Sequence, residues 1–530
     1  MRNRVVALGL DACDSYLALT LAKRGQMPNL ARLLEEGSRC RVENPFGLFV
    51  GAIWANYTTA LRPSKHGFHC WDKIEPSTYR WEYSPPRISH LSSFWKKMSD
   101  VGLSVAAIDV PHRLANEPLN GIEVSEWGTH DRHHGLVTYP ADLALELERT
   151  YGFHPVFGIE PKTALDFAPD DQFERQGARR TAQEDEALFQ ALLQGADTKR
   201  RVTLDLLRRG DWDFFVSIFG ESHAAGHQLW HLHDPTHPRF DPQARDALGG
   251  DPVAKVYAAL DRAVGEVMTE VGDDCLLLVH FSHGMNVHYD CTHMLEEILI
   301  RLDGSARTPV RARSGAWLKR AAAPLVAPLR RFAHAIRIPA ALRGRVGQRL
   351  QVSEHSTPES RARRRYFLEP NNSVYGGIRL NLVGREPRGC VQPGDVDAIC
   401  AQLEADLLDI RDSETGRPVV RAVLRCDSHH ERRPDDVMPD LLVEWARDSQ
   451  TSCVTSPKIG RLRAPYEGWR SGDHRPNGLL VARGKGVPAG GELPAIATED
   501  IGPTIAAYLG VTLDGVDGKP AAWLAQMTVS

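Results

Sequence analysis

Two histidines four residues apart, His223 and His227, directly follow an apolar stretch near the middle of the sequence. That stretch, DWDFFVSI, is rich in aromatic and β-branched residues and predicts a buried strand. If a helix follows Gly220, positions i and i+4 lie on one face, so both imidazoles can reach one metal ion. An isolated pair with this spacing is usually structural. Two further predicted strands that end near histidines favour a metal site here.

A carboxylate follows the first predicted strand. Residues 5–10 form a continuous apolar run, and Asp11 comes directly after it. The carboxyl end of a strand is where open α/β sheets bind their ligands. Asp is also a good helix N-cap, and residues 15–24 predict a helix. Both roles remain open for Asp11 at this point.

Length and composition limit the class of protein. The chain has 530 residues, which predicts one large α/β domain with insertions or two domains. Its net charge of −4 gives no electrostatic reason to expect polymeric nucleic acid as a partner. Nine scattered cysteines without a CxxC pair favour a reducing compartment, so the expected location is cytoplasmic. No apolar run approaches the roughly 20 residues of a transmembrane helix. The oligomeric state stays open.

Several blocks follow one another along the chain in a characteristic order. They are GLDACDSYLALTLAKRGQMPNLARLLEEGSRCRVENP, WANYTTALRPSKHGFHCWD, GDWDFFVSIFGESHAAGHQLWHLHDP, DDCLLLVHFSHGMNVH, YGGIRLNLVGREPRGCVQPGDV, LLDIRDSETGRPVV with MPDLLVEW, and GDHRPNGLLVARGKGV before IATEDIGPTIAAYLGV. In order and spacing they resemble the type I phosphodiesterase/nucleotide pyrophosphatase group of the alkaline phosphatase superfamily. The resemblance covers most of the chain except about 300–366.

This resemblance implies an α/β fold with a doubly wound, mostly parallel sheet flanked by helices, like that of alkaline phosphatase. It also implies two divalent metals at the carboxyl ends of the strands. By position in the family motifs, Asp11 and His283 correspond to ligands of one metal. His227 and the late His474 correspond to ligands of the other.

Three positions depart from the family pattern. His223 stands where the family has an Asp four residues before the first His. Ser282 replaces the Asp that usually precedes His283. Val50 occupies the position of the Thr or Ser nucleophile, and a valine can neither attack phosphorus nor bind a metal.

The substitutions predict a changed mechanism. Three imidazoles, from His223, His227 and His474, suit one Zn²⁺ with an open fourth position. Such an ion lowers the pKa of bound water to about 7, so a metal-bound hydroxide could attack directly. A second divalent ion, at Asp11 and His283, would be held more weakly because an anionic ligand is missing. Glu221 is then a candidate general base, and Ser282 is the other candidate catalytic residue.

The predicted function is therefore metal-dependent hydrolysis of a phosphate ester, of the phosphodiesterase or phosphatase type, on a small anionic substrate. Two alternatives stay open. The chain could be a catalytically degenerate member of the family, or a metal-dependent group transferase in a biosynthetic pathway. The sequence does not distinguish phosphate, sulfate and phosphonate substrates.

The segment 301–366 differs in composition from its surroundings, because it is crowded with arginine and poor in acidic residues. We interpret it as a helical insertion that caps a core formed by residues 1–300 and 367–530. Its guanidinium groups could bind phosphate or sulfate on a substrate. A solvated surface excursion and a contact with anionic lipid headgroups are the alternatives.

Overall fold

The computed structural model describes most of the chain. The described residues are 3–75, 78–83, 91–130, 132, 135–157, 180–304, 357–371, 374–433, 436, 438–447, 451–466 and 470–523.

The described chain contains strands in five sheets. In chain order they are β1 Val5–Leu10, β2 Ser38–Glu43, β3 Asp72–Glu75, β4 Arg80–Tyr83, β5 Val105–Ile108, β6 Gly121–Ser125, β7 Val137–Tyr139, β8 Phe214–Phe219, β9 Leu276–Phe281, β10 Gly284–Val287, β11 Tyr366–Glu369, β12 Tyr375–Leu380, β13 Arg411–Asp412, β14 Val420–Arg425, β15 Leu441–Trp445, β16 Cys453–Ser456, β17 Gly460–Arg463, β18 Gly472–Arg475, β19 Asn477–Arg483, β20 Gly491–Glu492 and β21 Ile496–Ala497.

Helices connect and cover these strands. The α-helices span Ser15–Lys23, Pro28–Glu36, Phe49–Thr59, Pro63–His66, Phe94–Asp100, Leu143–Tyr151, Ala182–Arg208, Glu221–His233, Pro242–Ala247, Pro252–Val271, Thr292–Leu302, Pro358–Arg361, Val396–Leu408 and Ile501–Tyr508. None of the described helices is long and apolar enough to cross a membrane. The cytoplasmic location stays a prediction.

The central sheet has the strand order β20-β2-β19-β9-β1-β8-β5-β6-β7, with β21 beside β2. Strand β1 pairs in parallel with β8 on one side and with β9 on the other. Strand β5 is parallel to both β8 and β6, whereas β19 is antiparallel to its neighbours. The predicted doubly wound, mostly parallel sheet is confirmed.

The two faces of the sheet carry separate apolar cores. Along β1, Val6 and Leu8 pack on one core, while Val5 and Ala7 pack on the other. This alternation follows from the period of two in a strand, and burial on both faces explains why the strand has no polar residue. The parallel arrangement brings the carboxyl ends of β1, β5, β6, β8 and β9 to one edge of the sheet.

A third apolar core lies around the antiparallel sheet β11-β12-β15-β14. Strand β11 begins at Tyr366, one residue before the predicted start of the returning core. Most of the Arg-rich segment lies outside the described residues, so the cap stays a prediction. At its carboxyl end, Arg361 and Arg364 are buried beside the carboxylate of Glu296. These two guanidinium groups neutralise a buried acid, which is a structural role.

Asp14, rather than Asp11, caps the first helix. Its Oδ1 accepts a hydrogen bond from the backbone N–H of Leu17 at 2.8 Å. Its Oδ2 accepts from the backbone N–H of Met285, in β10, at 3.1 Å. The same buried carboxylate thus ties the loop after β1 to the two-stranded antiparallel sheet of β10 and β18, which carries His474.

We expect Asp14→Ala to lower the free energy of unfolding by about 1–3 kcal/mol, because two backbone N–H groups would lose their acceptor, one of them in β10. Urea denaturation followed by circular dichroism measures this change. Asp241→Ala is a matched control, since Asp241 caps the exposed helix Pro242–Ala247. It should cost about 0.5–1 kcal/mol. Equal losses in the two variants would contradict the tie between Asp14 and β10.

Candidate metal centre

Asp11 is fully buried at the end of β1, and both oxygens of its carboxylate are engaged. Oδ1 accepts from the indole N–H of Trp54 at 2.8 Å and from the hydroxyl of Ser282 at 3.0 Å. Oδ2 lies 2.8 Å from Nδ1 of His223 and 3.3 Å from Nδ1 of His130. Burial opposes ionisation of Asp11, but the neighbouring imidazoles outweigh it and hold the pKa of this carboxyl below its ordinary value.

His223 and His227 lie on the predicted helix, which spans Glu221–His233 and follows β8 after Gly220. The spacing of four residues places both rings on one face, and their centroids are 4.7 Å apart. Nδ1 of His227 donates to the carbonyl of Gly472 at 2.9 Å. This hydrogen bond fixes the tautomer of His227 and makes its Nε2 the nitrogen that carries the lone pair.

The helix can reach Gly472 because that position has no side chain. A Cβ on Gly472 would lie 2.1 Å from the carbonyl oxygen of Gly226. The close approach is reinforced by the backbone N–H of Ser471, which donates to the carbonyl of His227 at 2.6 Å. Strand β18 is thereby fixed against the helix next to the position of His474.

His474 completes the group. Its Nε2 lies 3.0 Å from Nε2 of His227, and its ring centroid is 4.9 Å from that of His223. Its Nδ1 is buried and has no hydrogen-bond partner among the described residues. Burial lowers the pKa of both His227 and His474 well below the ordinary value, so both rings are neutral and their lone pairs are available.

The donor set fits a divalent metal ion. One ligand atom from each of His223, His227 and His474 lies within 4.8 Å of the other two. In a tetrahedral zinc site with Zn–N distances of about 2.0–2.1 Å, ligand nitrogens are roughly 3.3 Å apart. The separation of 3.0 Å between the Nε2 atoms of His227 and His474 is close to that value. Three neutral imidazoles at this spacing could hold Zn²⁺ and leave a fourth position open.

His283 is placed beside this group through Ser282. The Ser282 hydroxyl donates its proton to Asp11 and accepts a hydrogen bond from the backbone N–H of Ala12 at 2.9 Å. Its oxygen also lies 2.9 Å from Nδ1 of His283. Because the hydroxyl proton is already directed to Asp11, Nδ1 of His283 must be the donor in this contact. Nε2 of His283 is left buried without a hydrogen-bond partner among the described residues. Its ring centroid is 4.4 Å from that of His474, and burial lowers its pKa to about 3.

His130 joins the site and was missed in the sequence. Together with Asp11 and His223 it forms a second group of three potential metal ligands. His130 follows β6, whose carboxyl end reaches the same edge of the sheet as that of β1. The signal that could have identified it is the His-rich run HDRHH, which begins five residues after the end of β6.

Asp109 anchors the loop that carries His130. It accepts hydrogen bonds from the backbone N–H groups of Trp127 at 2.8 Å and Gly128 at 2.9 Å, and it forms a buried ion pair with Lys199. These contacts hold the chain that leads to His130 against β5. Asp109 therefore has a structural role in presenting this imidazole.

Glu221 is not brought to the group of imidazoles. Its Oε1 lies 2.9 Å from Nε2 of His154, and both side chains are fully buried. Its role as a general base stays a prediction that no contact with Asp11 or His223 supports.

Val50 lies in the first turn of helix Phe49–Thr59. The neighbouring Phe49 ring makes an edge contact with His283, at 5.7 Å between centroids, so this turn borders the site. The same helix carries Trp54, whose indole binds Asp11.

Comparison with known proteins places the chain in a family. Solved structures that resemble it include murine ectonucleotide pyrophosphatase/phosphodiesterase 5, with 11% identity, coverage of 99% of both chains and a TM-score of 0.48. Phosphonoacetate hydrolase from Sinorhizobium meliloti shares 14% identity, with 91% of this chain and 90% of that chain covered and a TM-score of 0.44. No curated protein matches the chain in sequence. The sequence profile named Type I phosphodiesterase / nucleotide pyrophosphatase matches residues 5–474. Because this match spans most of its length, the chain belongs to the type I phosphodiesterase/nucleotide pyrophosphatase family.

Proposed function

We propose that this chain is a Zn²⁺-dependent hydrolase of small anionic phosphodiesters in which water attacks phosphorus without a covalent intermediate on the protein. Membership of the family supports hydrolysis of phosphoester bonds in general. The observation that carries the finer proposal is the convergence of the rings of His223, His227 and His474. It is joined by the valine at position 50, where the family pattern has its nucleophile, in a helix turn whose Phe49 contacts His283.

The choice of Zn²⁺ follows from the ligand type. Neutral imidazole nitrogens suit zinc, whereas Mg²⁺ and Ca²⁺ prefer carboxylate and carbonyl oxygens. When bound, the ion would lower the pKa of a water molecule and stabilise negative charge on the phosphoryl oxygens.

Protein groups fix the rings that would hold the ion. Nδ1 of His223 faces Asp11, and Nδ1 of His227 faces the carbonyl of Gly472. A carboxylate or carbonyl behind a ligating imidazole fixes its orientation and raises its basicity. The remaining Nε2 atoms are then the ligand atoms.

One ion is favoured over two. The second group of potential ligands, Asp11 with His130, shares His223 with the first group. While Nδ1 of His223 donates its proton to Asp11, the same atom cannot bind a second ion. Asp11 therefore acts as the orienting partner of His223 rather than as a ligand.

Neither position that the family pattern offers for a nucleophile supplies a reactive hydroxyl. Val50 has none, and the Ser282 hydroxyl is fully buried with its proton directed to Asp11 and two donors on its oxygen. We therefore assign the attacking oxygen to water. His130 is backed by Asp11 and its side chain is 16% exposed, so this ring, rather than Glu221, is placed to accept the proton of that water.

The charge of the site favours diesters. One divalent cation, three neutral imidazoles and ionised Asp11 add up to a net charge of about +1. A phosphodiester carries a single negative charge, whereas a phosphomonoester carries nearly two at pH 7. The diester therefore balances the site, and the second charge of a monoester would be left without a partner.

We expect His227→Ala to lower both zinc affinity and phosphodiesterase activity by more than about 100-fold, the upper end of the loss seen when only an outer-shell partner is removed. Zinc is measured by inductively coupled plasma mass spectrometry after desalting, and activity with bis(p-nitrophenyl) phosphate.

His231→Ala is the matched control, because His231 lies on the same helix and contacts Asp185 instead. It should keep the zinc and the activity. A zinc content in His227→Ala equal to that of the wild type would refute the proposed ligand set. Wild-type protein that binds zinc but hydrolyses no aryl mono- or diester of phosphate or sulfate would point to a degenerate enzyme or a group transferase.

Direct attack by water predicts inversion of configuration at phosphorus. A covalent intermediate would require two successive displacements and would give retention. The measurement uses a phosphodiester made chiral by one sulfur atom and hydrolysed in ¹⁸O-labelled water. Ser282→Ala should still invert, with reduced rate, because Asp11 loses one hydrogen-bond donor. Retention in the wild type, with activity lost in Ser282→Ala, would instead make Ser282 the nucleophile.

A further inference from the structure

A separate group of polar side chains lies beside the two-stranded sheet of β10 and β18. His288, Asp290 and Asp473 are all buried, with relative exposures of 1%, 6% and 0%. One ligand atom from each lies within 4.8 Å of the other two. Asp473 directly precedes His474 in β18, and successive residues of a strand point to opposite faces. The group therefore lies on the other side of β18 from the candidate metal centre.

Each carboxylate in this group has one anchored oxygen and one oxygen left over. Oδ1 of Asp290 accepts from the backbone N–H of Thr292 at 2.9 Å and from its hydroxyl at 2.5 Å. Oδ1 of Asp473 accepts from the backbone N–H of His474 at 3.0 Å. In both residues Oδ2 makes no hydrogen bond within the described part of the chain. Anchoring of one carboxylate oxygen is typical of the ligands in metal sites.

His288 is held in the same way. Its ring stacks on that of Tyr466, with centroids 3.9 Å apart. Nδ1 lies 3.0 Å from Oδ2 of Asp473, but the alignment of the two groups is not that of a hydrogen bond. Both atoms thus lack a hydrogen-bond partner among the described residues, although both are buried. An imidazole nitrogen and a carboxylate oxygen this close together, but not aligned for a hydrogen bond, are an arrangement that a shared cation produces.

Apart from His288, the described residues supply no basic side chain that pairs with these two carboxylates. Within the described residues neither Asp290 nor Asp473 forms an ion pair with a lysine or an arginine. Two buried carboxylates without a cation are unfavourable, because neither burial nor their mutual repulsion is offset. A divalent ion would offset both effects.

We propose that His288, Asp290 and Asp473 form a second, structural metal site for a divalent transition-metal cation such as Zn²⁺ or Mn²⁺. One imidazole and two carboxylates are a ligand set that both ions accept. The site does not depend on the proposed hydrolase activity. The ion would clamp β18 to the turn after β10, and so hold His474 and the carbonyl of Gly472 in place.

The test counts metal in the full-length protein. Wild-type protein is loaded with Zn²⁺ alone or with Mn²⁺ alone, desalted and analysed by inductively coupled plasma mass spectrometry. His288→Ala and Asp290→Asn should each hold one ion fewer per chain than the wild type. His293→Ala is the matched control, because His293 also lies near the Tyr466 ring but contacts the carbonyl of Ala464. It should keep the wild-type count. Circular dichroism verifies that the variants fold, and Asp290→Asn preserves the side-chain shape if His288→Ala does not fold.

A second measurement separates this site from the candidate active site. Crystals of His227→Ala, in which the first ligand set is broken, are soaked in Zn²⁺ and examined by anomalous diffraction. A peak between His288, Asp290 and Asp473 is expected even if this variant is inactive. A water molecule there without anomalous signal, or unchanged ion counts in both His288→Ala and Asp290→Asn, would overturn the proposal. If zinc is absent only from the site of His223, His227 and His474, the proposed function is contradicted and the proposed site at His288 is not.

Discussion

The structure of the site depends on one buried carboxylate whose hydrogen bonds all come from different parts of the chain. One oxygen of the Asp11 carboxylate accepts hydrogen bonds from the indole N–H of Trp54 and from the hydroxyl of Ser282. Its other oxygen faces the rings of His223 and His130. Because these partners lie on separate elements, the orientation of each depends on Asp11 remaining ionised and buried. Its loss would leave buried donors without an acceptor, which costs more than the hydrogen bonds themselves contribute.

Replacement of the family's usual Asp by His223 changes the electrostatics more than the shape of the site. Carboxylate ligands neutralise a metal ion, whereas imidazoles leave its charge in place. An ion held by three neutral rings would be a stronger Lewis acid, and in the proposed mechanism this would compensate for the absence of a nucleophile at Val50. In the proposed mechanism the two substitutions complement each other, because water as the nucleophile needs stronger activation by the metal than a threonine hydroxyl held in the site.

Much of this arrangement could be predicted from the sequence, and the limits have physical causes. The strand before Asp11 and the helix with His223 and His227 follow from local periodicity, and the structure has both. The pairing of Glu221 with His154 could not be predicted, because it depends on a contact across 67 positions of the chain. His130 was missed for the same reason, since its approach to Asp11 depends on the order of strands in the sheet. The helix that carries Val50 ends at Thr59 because Ala60 adopts the left-handed conformation, and nothing in the local sequence predicts that conformation for an alanine.

Strand β18 shows how three successive residues can serve three different purposes. The carbonyl of Gly472 fixes the tautomer of His227, the side chain of Asp473 points to the cluster with His288, and His474 faces the candidate metal centre. A strand allows this division because its backbone groups lie in the sheet while alternate side chains point to opposite faces. It also couples these roles, since a shift of register by one residue would move His474 to the opposite face. The hydrogen bonds from Asp14 to β10 and from Ser471 to the helix oppose such a shift from both sides. The geometry of the site is thus set by the backbone of this strand as much as by the histidines themselves.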